Sequence, residues 1–241
     1  MLRKKINKKR RHGSSFWDKE YTNASHLSLS EKPSSDLEKF IRWLQRKQGK
    51  TLLNPTTSVL DIGCGNGRNI IYLAKEFGMH GYGYDISSAA IAKATEAKKE
   101  LNIEFKVCDI KPPWDIPDNS QSLVLDMMTS HFLLSSERLS LRDEIYRVLK
   151  PGGFLFFKTF LRDGDIHTKR LLNESPAEED GSYIHPIIGV AEHVYYKEEI
   201  LEFLAPSFII HKSYASHKHI LKGKARKRRT ISIYAEKDPY Q

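Results

Sequence analysis

The feature that most constrains this chain is a run of alternating glycines between a predicted strand and a predicted helix. The strand ends at Asp61, and the apolar spacing of residues 69–77 predicts the helix. The glycines between them are Gly63, Gly65 and Gly67. Glycine lacks a Cβ and accepts positive φ, so such a turn can lie against a ligand, facing the positive N-terminus of the helix. A dinucleotide fingerprint needs a further glycine where this chain has Arg68, so the spacing differs from that motif.

Two more acids follow predicted strands at an even spacing. Asp85 ends the second predicted strand 24 residues after Asp61, and Asp109 belongs to the end of the third, another 24 residues on. Residues 144–153 then predict a helix, a Leu-Lys-Pro-Gly-Gly turn and the start of a fifth strand. Since strand ends face the ligand crevice of a doubly wound sheet, we expect these acids beside the glycine turn.

In this order, these motifs resemble those of the class I S-adenosylmethionine-dependent methyltransferases, over roughly residues 55–160. The resemblance implies an α/β fold, a doubly wound, mostly parallel seven-stranded sheet with the last strand antiparallel, and S-adenosylmethionine as cofactor. It also implies that Asp85 holds the ribose hydroxyls and that Asp109 accepts from the adenine amino group. The expected cofactor-binding residues are Tyr21, Asp61, Gly63, Gly65, Gly67, Asn69, Asp85, Ile86, Asp109, Ile110 and Asp126.

The chain is expected to divide into three parts. Residues 1–15 are expected to be a basic disordered arm, and residues 16–54 a helical segment over the cofactor site. Residues 55–241 form the methyltransferase domain, with a substrate-side insertion at 161–196. Tyr21 lies in an aromatic stretch that either covers the cofactor or anchors the arm onto the domain.

Further helices and strands follow from apolar spacing and from residues that cap helices. Ser87 and Ser88 are expected to cap a helix that turns Ile91, Ala94 and Ala97 inward. The other predicted helices are residues 136–149, with Leu139 among its apolar residues, and 197–205. The later predicted strands are residues 122–126, 153–160, 207–213 and 230–236.

Asp126 and His131 are the candidate catalytic residues, because they stand at and just after the end of the fourth predicted strand. Methyl transfer requires alignment, and a base only where the acceptor carries a proton. A carboxylate at a strand end is costly to bury without a partner, which favours a role for Asp126. His131 either assists the acceptor or packs against the cofactor pocket.

The insertion is long for a loop and is therefore expected to serve function. Its three histidines, His167, His185 and His193, are spaced by 18 and then 8 residues, which matches no compact metal-ligand motif. We therefore expect no metal. The two cysteines, Cys64 and Cys108, predict no disulfide framework.

The net charge of +9 comes from two short segments. Residues 1–12 and 217–229 hold seven lysines and arginines each and no acid. The rest of the chain holds the other 25 of the 39 basic residues and all 30 acids, so it is net acidic. Such segments suit a polyanion such as RNA, or are solvated tails. The acceptor is thus RNA or a small molecule, and a non-catalytic S-adenosylmethionine-binding partner subunit is the alternative. With no long apolar run and no apolar signal region, we expect a cytoplasmic chain that does not engage a membrane. The oligomeric state is not readable from the sequence.

Overall fold

The computed structural model describes residues 14–26, 29–216, 220–221, 224–225 and 227–240. Its centre is a seven-stranded sheet in the order β3-β2-β1-β4-β5-β11-β8. The strands of this sheet are β1 Ser58–Ile62, β2 His80–Asp85, β3 Ile103–Val107, β4 Gln121–Met127, β5 Leu149–Phe160, β8 Ile209–Ala215 and β11 Thr230–Glu236. The first five are parallel, and β11 is antiparallel to both β5 and β8. The predicted fold is confirmed.

Helices cover both faces of the sheet, which is why the central strands are apolar on both sides. The helices are α1 Ser15–Thr22, α2 Ser35–Gln48, α3 Arg68–Phe77, α4 Ser88–Lys98, α5 Ser135–Val148, α6 Ile166–Glu174 and α7 Lys197–Leu204. One core packs the apolar faces of α2 and α3 against the sheet, and the other packs α5 and α7 against its opposite face. The apolar face of α2 is buried and consists of Leu37, Phe40, Ile41 and Leu44.

Residues 161–196 form a compact unit at the carboxyl end of β5. It consists of α6 and a hairpin of β6 (Ser182–Ile184) and β7 (Ala191–His193). Asp165 caps α6 by accepting from the backbone N–H groups of His167 and Thr168. Two more short strands, β9 (Ile220–Leu221) and β10 (Lys224–Ala225), pair with each other within the basic segment.

Some local predictions were wrong in phase or extent. Leu139 is exposed, because it lies two residues before Leu141, and that spacing turns it away from the buried face of α5. Ala97 is also exposed, since six residues of helix rotate it well away from Ile91. β5 begins at Leu149 because this residue already pairs with Gln121 of β4. β3 ends at Val107, so Asp109 follows the strand.

Other boundaries moved by one to three residues, as is usual at the ends of helices and strands. α1 begins at Ser15, so the expected arm ends one residue earlier, and the rest of that prediction, residues 1–13, lies outside the described residues. Ser87 caps α4 as expected, with its side chain accepting from the backbone N–H of Ala90.

Candidate functional site

The glycine turn between β1 and α3 is closed so tightly that side chains do not fit. The three glycines have φ values of 68°, 57° and 73° in chain order. A Cβ on Gly63 would lie 2.2 Å from Thr129 Oγ1, and one on Gly65 would lie 2.3 Å from Tyr21 Oη. Gly67 is turned the other way, where a Cβ would meet Phe105 at 2.6 Å. The first two glycines thus face the site, and the third allows helix α3 to pack.

Asp85 ties the end of β2 to this turn. Its Oδ2 accepts from the backbone N–H of Gly65 at 2.9 Å, and its Oδ1 accepts from the backbone N–H of Ser87 at 2.9 Å. Burial raises the pKa of this carboxyl, and those two hydrogen bonds oppose the rise. Each oxygen keeps accepting capacity, as a carboxylate that holds a diol requires.

Asp61 is a buried carboxyl with unused bonding capacity. Its side chain is 1% exposed, and its Oδ2 has no hydrogen-bond partner among the described residues. Burial, together with the nearby Asp85, raises the pKa of Asp61 to about 8, while Arg68 opposes the rise. A carboxyl in this condition favours a cationic ligand nearby, because a positive charge would stabilise its ionised form.

These groups adjoin a cavity of about 880 Å³. Nine of the predicted site residues line it: Tyr21, Gly63, Gly65, Asn69, Asp85, Ile86, Asp109, Ile110 and His131. Asp61 and Gly67 lie behind the turn and do not line the cavity. Asn69 also has a structural contact, because its Oδ1 accepts from the backbone N–H of Ser34 at 3.0 Å at the start of α2.

Asp126 does not line the cavity either, contrary to the expectation that it contacts cofactor or acceptor. Successive side chains of a strand point to opposite faces, and the next residue, Met127, is the one that lines the cavity. Asp126 is buried on the α5 side, where its Oδ1 accepts from the backbone N–H of Ser130 at 3.2 Å. Burial raises the pKa of Asp126 to about 6, and hydrogen bonds from Ser130 and Thr129 oppose the rise. The geometry favours a structural role.

Helix α1 forms one wall of the cavity through Phe16, Trp17 and Tyr21. It is held in place by Asp18, whose Oδ1 accepts from Ser87 Oγ at 2.8 Å and from the backbone N–H of Ala89 at 3.1 Å. A carboxylate at the N-terminus of α4 is well placed electrostatically. Burial, with Asp85 nearby, raises the pKa of Tyr21, so its hydroxyl stays protonated.

The insertion supplies the opposite wall, and His131 lies between the two. The His131 ring packs on Phe132 and Phe160, with centroids 4.1 and 5.1 Å away. Burial lowers its pKa to about 3, helped by Arg228 and His193, so the ring is neutral near pH 7. Its Nδ1 is buried and has no hydrogen-bond partner among the described residues. His131 is thus placed as a neutral polar group of the cavity.

Sequence reasoning missed Glu192, which lines the cavity from β7 and is 3% exposed. Tyr183 Oη donates to its Oε2, and Arg228 Nη1 lies 3.8 Å from the same oxygen. The available signal was an acid next to a histidine between the apolar residues Val190 and Val194, but its partners lie 9 and 36 residues away in the chain.

Among the residues that the structure describes, no three His, Cys, Asp or Glu side chains lie close enough together to hold a metal ion. His185 and His193 are both taken up in local hydrogen bonds. His185 Nδ1 accepts from the backbone N–H of Ile188 at 3.2 Å, and His193 Nε2 lies 2.9 Å from Glu199 Oε1. None of the helices in the described ranges is both long and apolar enough to cross a membrane.

Comparisons with known proteins agree with the fold. A family model described as a methyltransferase domain matches residues 59–153. The glycine/sarcosine/dimethylglycine N-methyltransferase of Actinopolyspora halophila is 28% identical over 137 residues, which are 56% of this chain and 24% of that protein. The chain thus spans about a quarter of the length of this relative.

Two solved structures share the fold. A methyltransferase of Methanosarcina mazei, described as S-adenosylmethionine-dependent, superposes with a TM-score of 0.65 at 27% identity, covering 77% of this chain and 94% of its own. The 1,6-didemethyltoxoflavin-N1-methyltransferase of Burkholderia thailandensis, solved with S-adenosylhomocysteine and 1,6-didemethyltoxoflavin bound, has a TM-score of 0.67 at 16% identity, covering 93% and 87%. Residues 59–153 are therefore a methyltransferase domain, the chain has the fold of the class I S-adenosylmethionine-dependent methyltransferases, and these comparisons support S-adenosylmethionine as its cofactor.

Proposed function

We propose that this chain transfers a methyl group from S-adenosylmethionine to a small-molecule acceptor held inside the cavity. One observation carries this proposal: the glycine turn, α1 and the insertion are walls of the same cavity. A volume of about 880 Å³ lies within the range of sites that hold small molecules. When bound, the cofactor supplies a sulfonium methyl: an acceptor lone pair forms the new bond to carbon, the C–S electron pair stays on sulfur, and the methylated atom releases a proton where it carries one.

Residues of this chain hold and enclose the cofactor. The fit is supported by the turn that admits no Cβ, by the accepting capacity of Asp85 and by the unpartnered Oδ2 of Asp61. Asp85 is proposed to bind the ribose diol, and Asp109, which is half exposed at the cavity wall, to bind the adenine end. Tyr21 Oη lies against Gly65 and closes the turn from above.

The acceptor end needs alignment and the exclusion of water. The side chains that exclude water there are Trp17, Phe132, Leu133, Phe160, Ile188 and Val190. His131 is neutral, with a pKa far below 7, so it is suited to orienting an acceptor by a hydrogen bond and poorly suited to removing a proton. We therefore assign His131 to positioning the acceptor.

The small-molecule proposal is favoured over RNA by what the described arginines of the basic segment contact. Arg228 Nε lies 3.2 Å from Asp165 Oδ2, and Arg229 Nη1 donates to the backbone carbonyl of Asp163 at 2.6 Å. Both are thereby directed into the insertion, which leaves fewer arginines to contact phosphates. The side chains of residues 217–226 lie outside the described part of the chain, so the polyanion prediction for that segment stays a prediction. Glycine and sarcosine, which the Actinopolyspora halophila relative is named for, are small molecules.

Transfer of tritiated methyl from S-adenosylmethionine into a cell extract tests the proposal. The extract is separated into RNA, protein and small-molecule fractions after incubation with the full chain. We expect label in the small-molecule fraction, and its loss with Asp85→Ala as the control. Label confined to RNA would contradict the proposal, and cofactor binding with no label in any fraction would support the non-catalytic partner subunit instead.

A further inference from the structure

A largely buried polar network lies in the insertion beside the cavity, and its described contacts include none of the residues proposed to bind the cofactor. Its centre is Arg228, which lies at the end of the basic segment, just before β11. Arg228 Nη2 donates to Thr168 Oγ1 at 2.9 Å, and Nη1 donates to Tyr183 Oη at 2.6 Å. The Arg228 guanidinium also lies 4.1 Å from the centre of the Phe160 ring, which lines the cavity. The network therefore reaches from α6 to the cavity wall.

The two carboxylates of this network are held very differently. Asp165 is 2% exposed and saturated: it caps α6, accepts from the backbone N–H of Arg229 at 2.8 Å and pairs with Arg228. Glu192 Oε2 accepts a hydrogen bond from Tyr183 Oη, and Arg228 Nη1 lies 3.8 Å from the same oxygen. Among the described residues, no hydrogen bond or ion pair is made by Oε1 of Glu192, whose side chain lines the cavity.

The charges of the network do not balance. One guanidinium, on the partly buried Arg228, faces two buried carboxylates, on Asp165 and Glu192, so the formal charges sum to one negative charge. Tyr183 does not relieve it, because burial and Glu192 hold the pKa of Tyr183 above its ordinary value, and its hydroxyl stays a neutral donor. A buried carboxylate without full compensation is costly, and a cation or a strong N–H donor in the cavity would offset that cost.

Other charged groups on the cavity wall are engaged elsewhere. Lys111 Nζ lies 3.5 Å from Asp109 and 3.4 Å from Glu137, and His26 Nδ1 lies 2.8 Å from the buried Glu20. Arg68 is at the cofactor end, close to Asp61. His185 accepts two backbone N–H groups on Nδ1, so the neutral ring carries its proton on Nε2 and is a donor only through that atom.

We propose that Glu192, oriented by Tyr183 and Arg228, is the specificity-determining residue of the acceptor site, and that it selects an acceptor bearing an amine. This proposal rests on the proposed function. The apolar residues that line the same cavity as Glu192, among them Phe160, Ile188 and Val190, suit the hydrocarbon part of such an acceptor. The carboxylate binds the amine and disfavours anionic analogues of the same shape. Glu192 therefore sets which molecule is aligned with the methyl group.

Three probes of matched shape test this: phenethylamine, 2-phenylethanol and 3-phenylpropanoate, which differ in the charge at the end of the side chain. Each is titrated calorimetrically into the full chain saturated with S-adenosylhomocysteine near neutral pH. We expect phenethylamine to bind at least about tenfold more tightly than the other two, the size of one charge-assisted hydrogen bond. Glu192→Gln, which keeps the shape, should remove this preference.

Glu178→Gln is the matched control, because Glu178 is an exposed acid of the same insertion and the change in charge is identical. It should keep the full preference. Glu192→Asp keeps the charge and should retain part of the preference. If Glu192→Gln binds S-adenosylhomocysteine more weakly than the wild type, the probe preference of Glu192→Asp tests the proposal in its place. Equal binding of the three probes, binding of none, or an unchanged preference in Glu192→Gln would overturn the proposal. The label-transfer experiment fails or succeeds independently, since it requires turnover and these titrations do not.

Discussion

The Asp85 side chain has two roles, because it both holds the glycine turn by a hydrogen bond and lines the cavity. Replacing it with Ala removes the acceptor for the Gly65 and Ser87 backbone N–H groups as well as the proposed contact with the ribose. We expect Asp85→Ala to weaken S-adenosylhomocysteine binding at least about tenfold, or about 1.4 kcal/mol. Titration calorimetry measures this, with the exposed Asp115→Ala as a control of equal charge change. Equal affinity of Asp85→Ala and wild type would exclude Asp85 from the site.

The raised pKa of Asp61 leads us to predict that the stability of the folded chain falls as pH rises towards 8. Its pKa is about 8 in the folded chain, raised first by burial, against an ordinary value of 3.8. The folded state therefore binds more protons than the unfolded state across this interval, so its stability falls as pH rises towards 8. Between pH 6.5 and 8 the slope approaches at most about 1.4 kcal/mol per pH unit, the limit for one proton.

Urea unfolding of the cofactor-free chain at several pH values measures this slope. Asp61→Asn should flatten it, because the amide does not titrate. The contribution of His131 to stability changes with pH in the opposite direction, because folding lowers the pKa of this residue. That contribution is confined to pH values below about 6.5. Parallel curves for wild type and Asp61→Asn would show that Asp61 is ionised in the folded chain.

At the scale of helices and strands, α1 is attached to α4 and forms a wall of the cavity. The Asp18 carboxylate connects them, by accepting from Ser87, Ser88 and Ala89 at the N-terminus of α4. We expect Asp18→Ala to speed amide exchange across residues 15–22 and to raise the dissociation rate of S-adenosylhomocysteine severalfold, because α1 is then held by fewer contacts. Hydrogen exchange and stopped-flow measurements test this.

Lys19→Ala is the control on the same helix, because Lys19 is exposed. It should leave both rates unchanged. If Asp18→Ala also leaves the exchange of residues 15–22 unchanged, the aromatic contacts of α1, such as Trp17 on Phe132 at 5.2 Å, are sufficient to hold it.

For the whole molecule, the sheet order decides where the basic segment lies. β8 runs parallel to β5, so the segment after it, 217–229, leaves from the carboxyl edge, the same edge as the glycine turn and the insertion. The sequence did not predict that Arg228 contacts Asp165, Thr168 and Tyr183 of the insertion.

Two variants with opposite expected effects follow from this placement. Replacing the four lysines of the segment, Lys218, Lys222, Lys224 and Lys227, with Gln should leave methyl transfer to the small-molecule fraction within about twofold of wild type. Arg228→Gln alone should cost about 3 kcal/mol of unfolding free energy, because it leaves buried carboxylates unpaired. Methyl transfer assays and thermal unfolding measure the two effects.

The RNA alternative predicts a different result for the lysine variant. If the segment contacts phosphates of single-stranded RNA, log Kd should depend on log salt with a slope of about 0.7 per contact, and the variant should flatten that slope. RNA retained by the wild type at physiological salt, together with loss of turnover in the lysine variant, would contradict the small-molecule proposal.

The sequence by itself determined the fold and the cofactor end of the site. Alternating glycines, strand-end acids and apolar periodicity are short-range features, and each acts on the backbone of its own segment. Their order, through the family resemblance that it carries, was enough to predict a mostly parallel seven-stranded sheet whose last strand is antiparallel. It was also enough to place Gly63, Gly65, Asp85 and Asp109 at one cavity.

Only the tertiary structure decided which side chains form the acceptor end. Asp126 and Met127 are neighbours in the chain, and the register of β4 between β1 and β5 sets which of them faces the cavity. Glu192 acquires its orientation from Arg228, 36 residues away, and Arg228 is anchored by Asp165, 63 residues away. Such contacts depend on how distant segments pack, because a buried charge takes whichever partner the fold brings within reach, and no local pattern in the sequence encodes that choice.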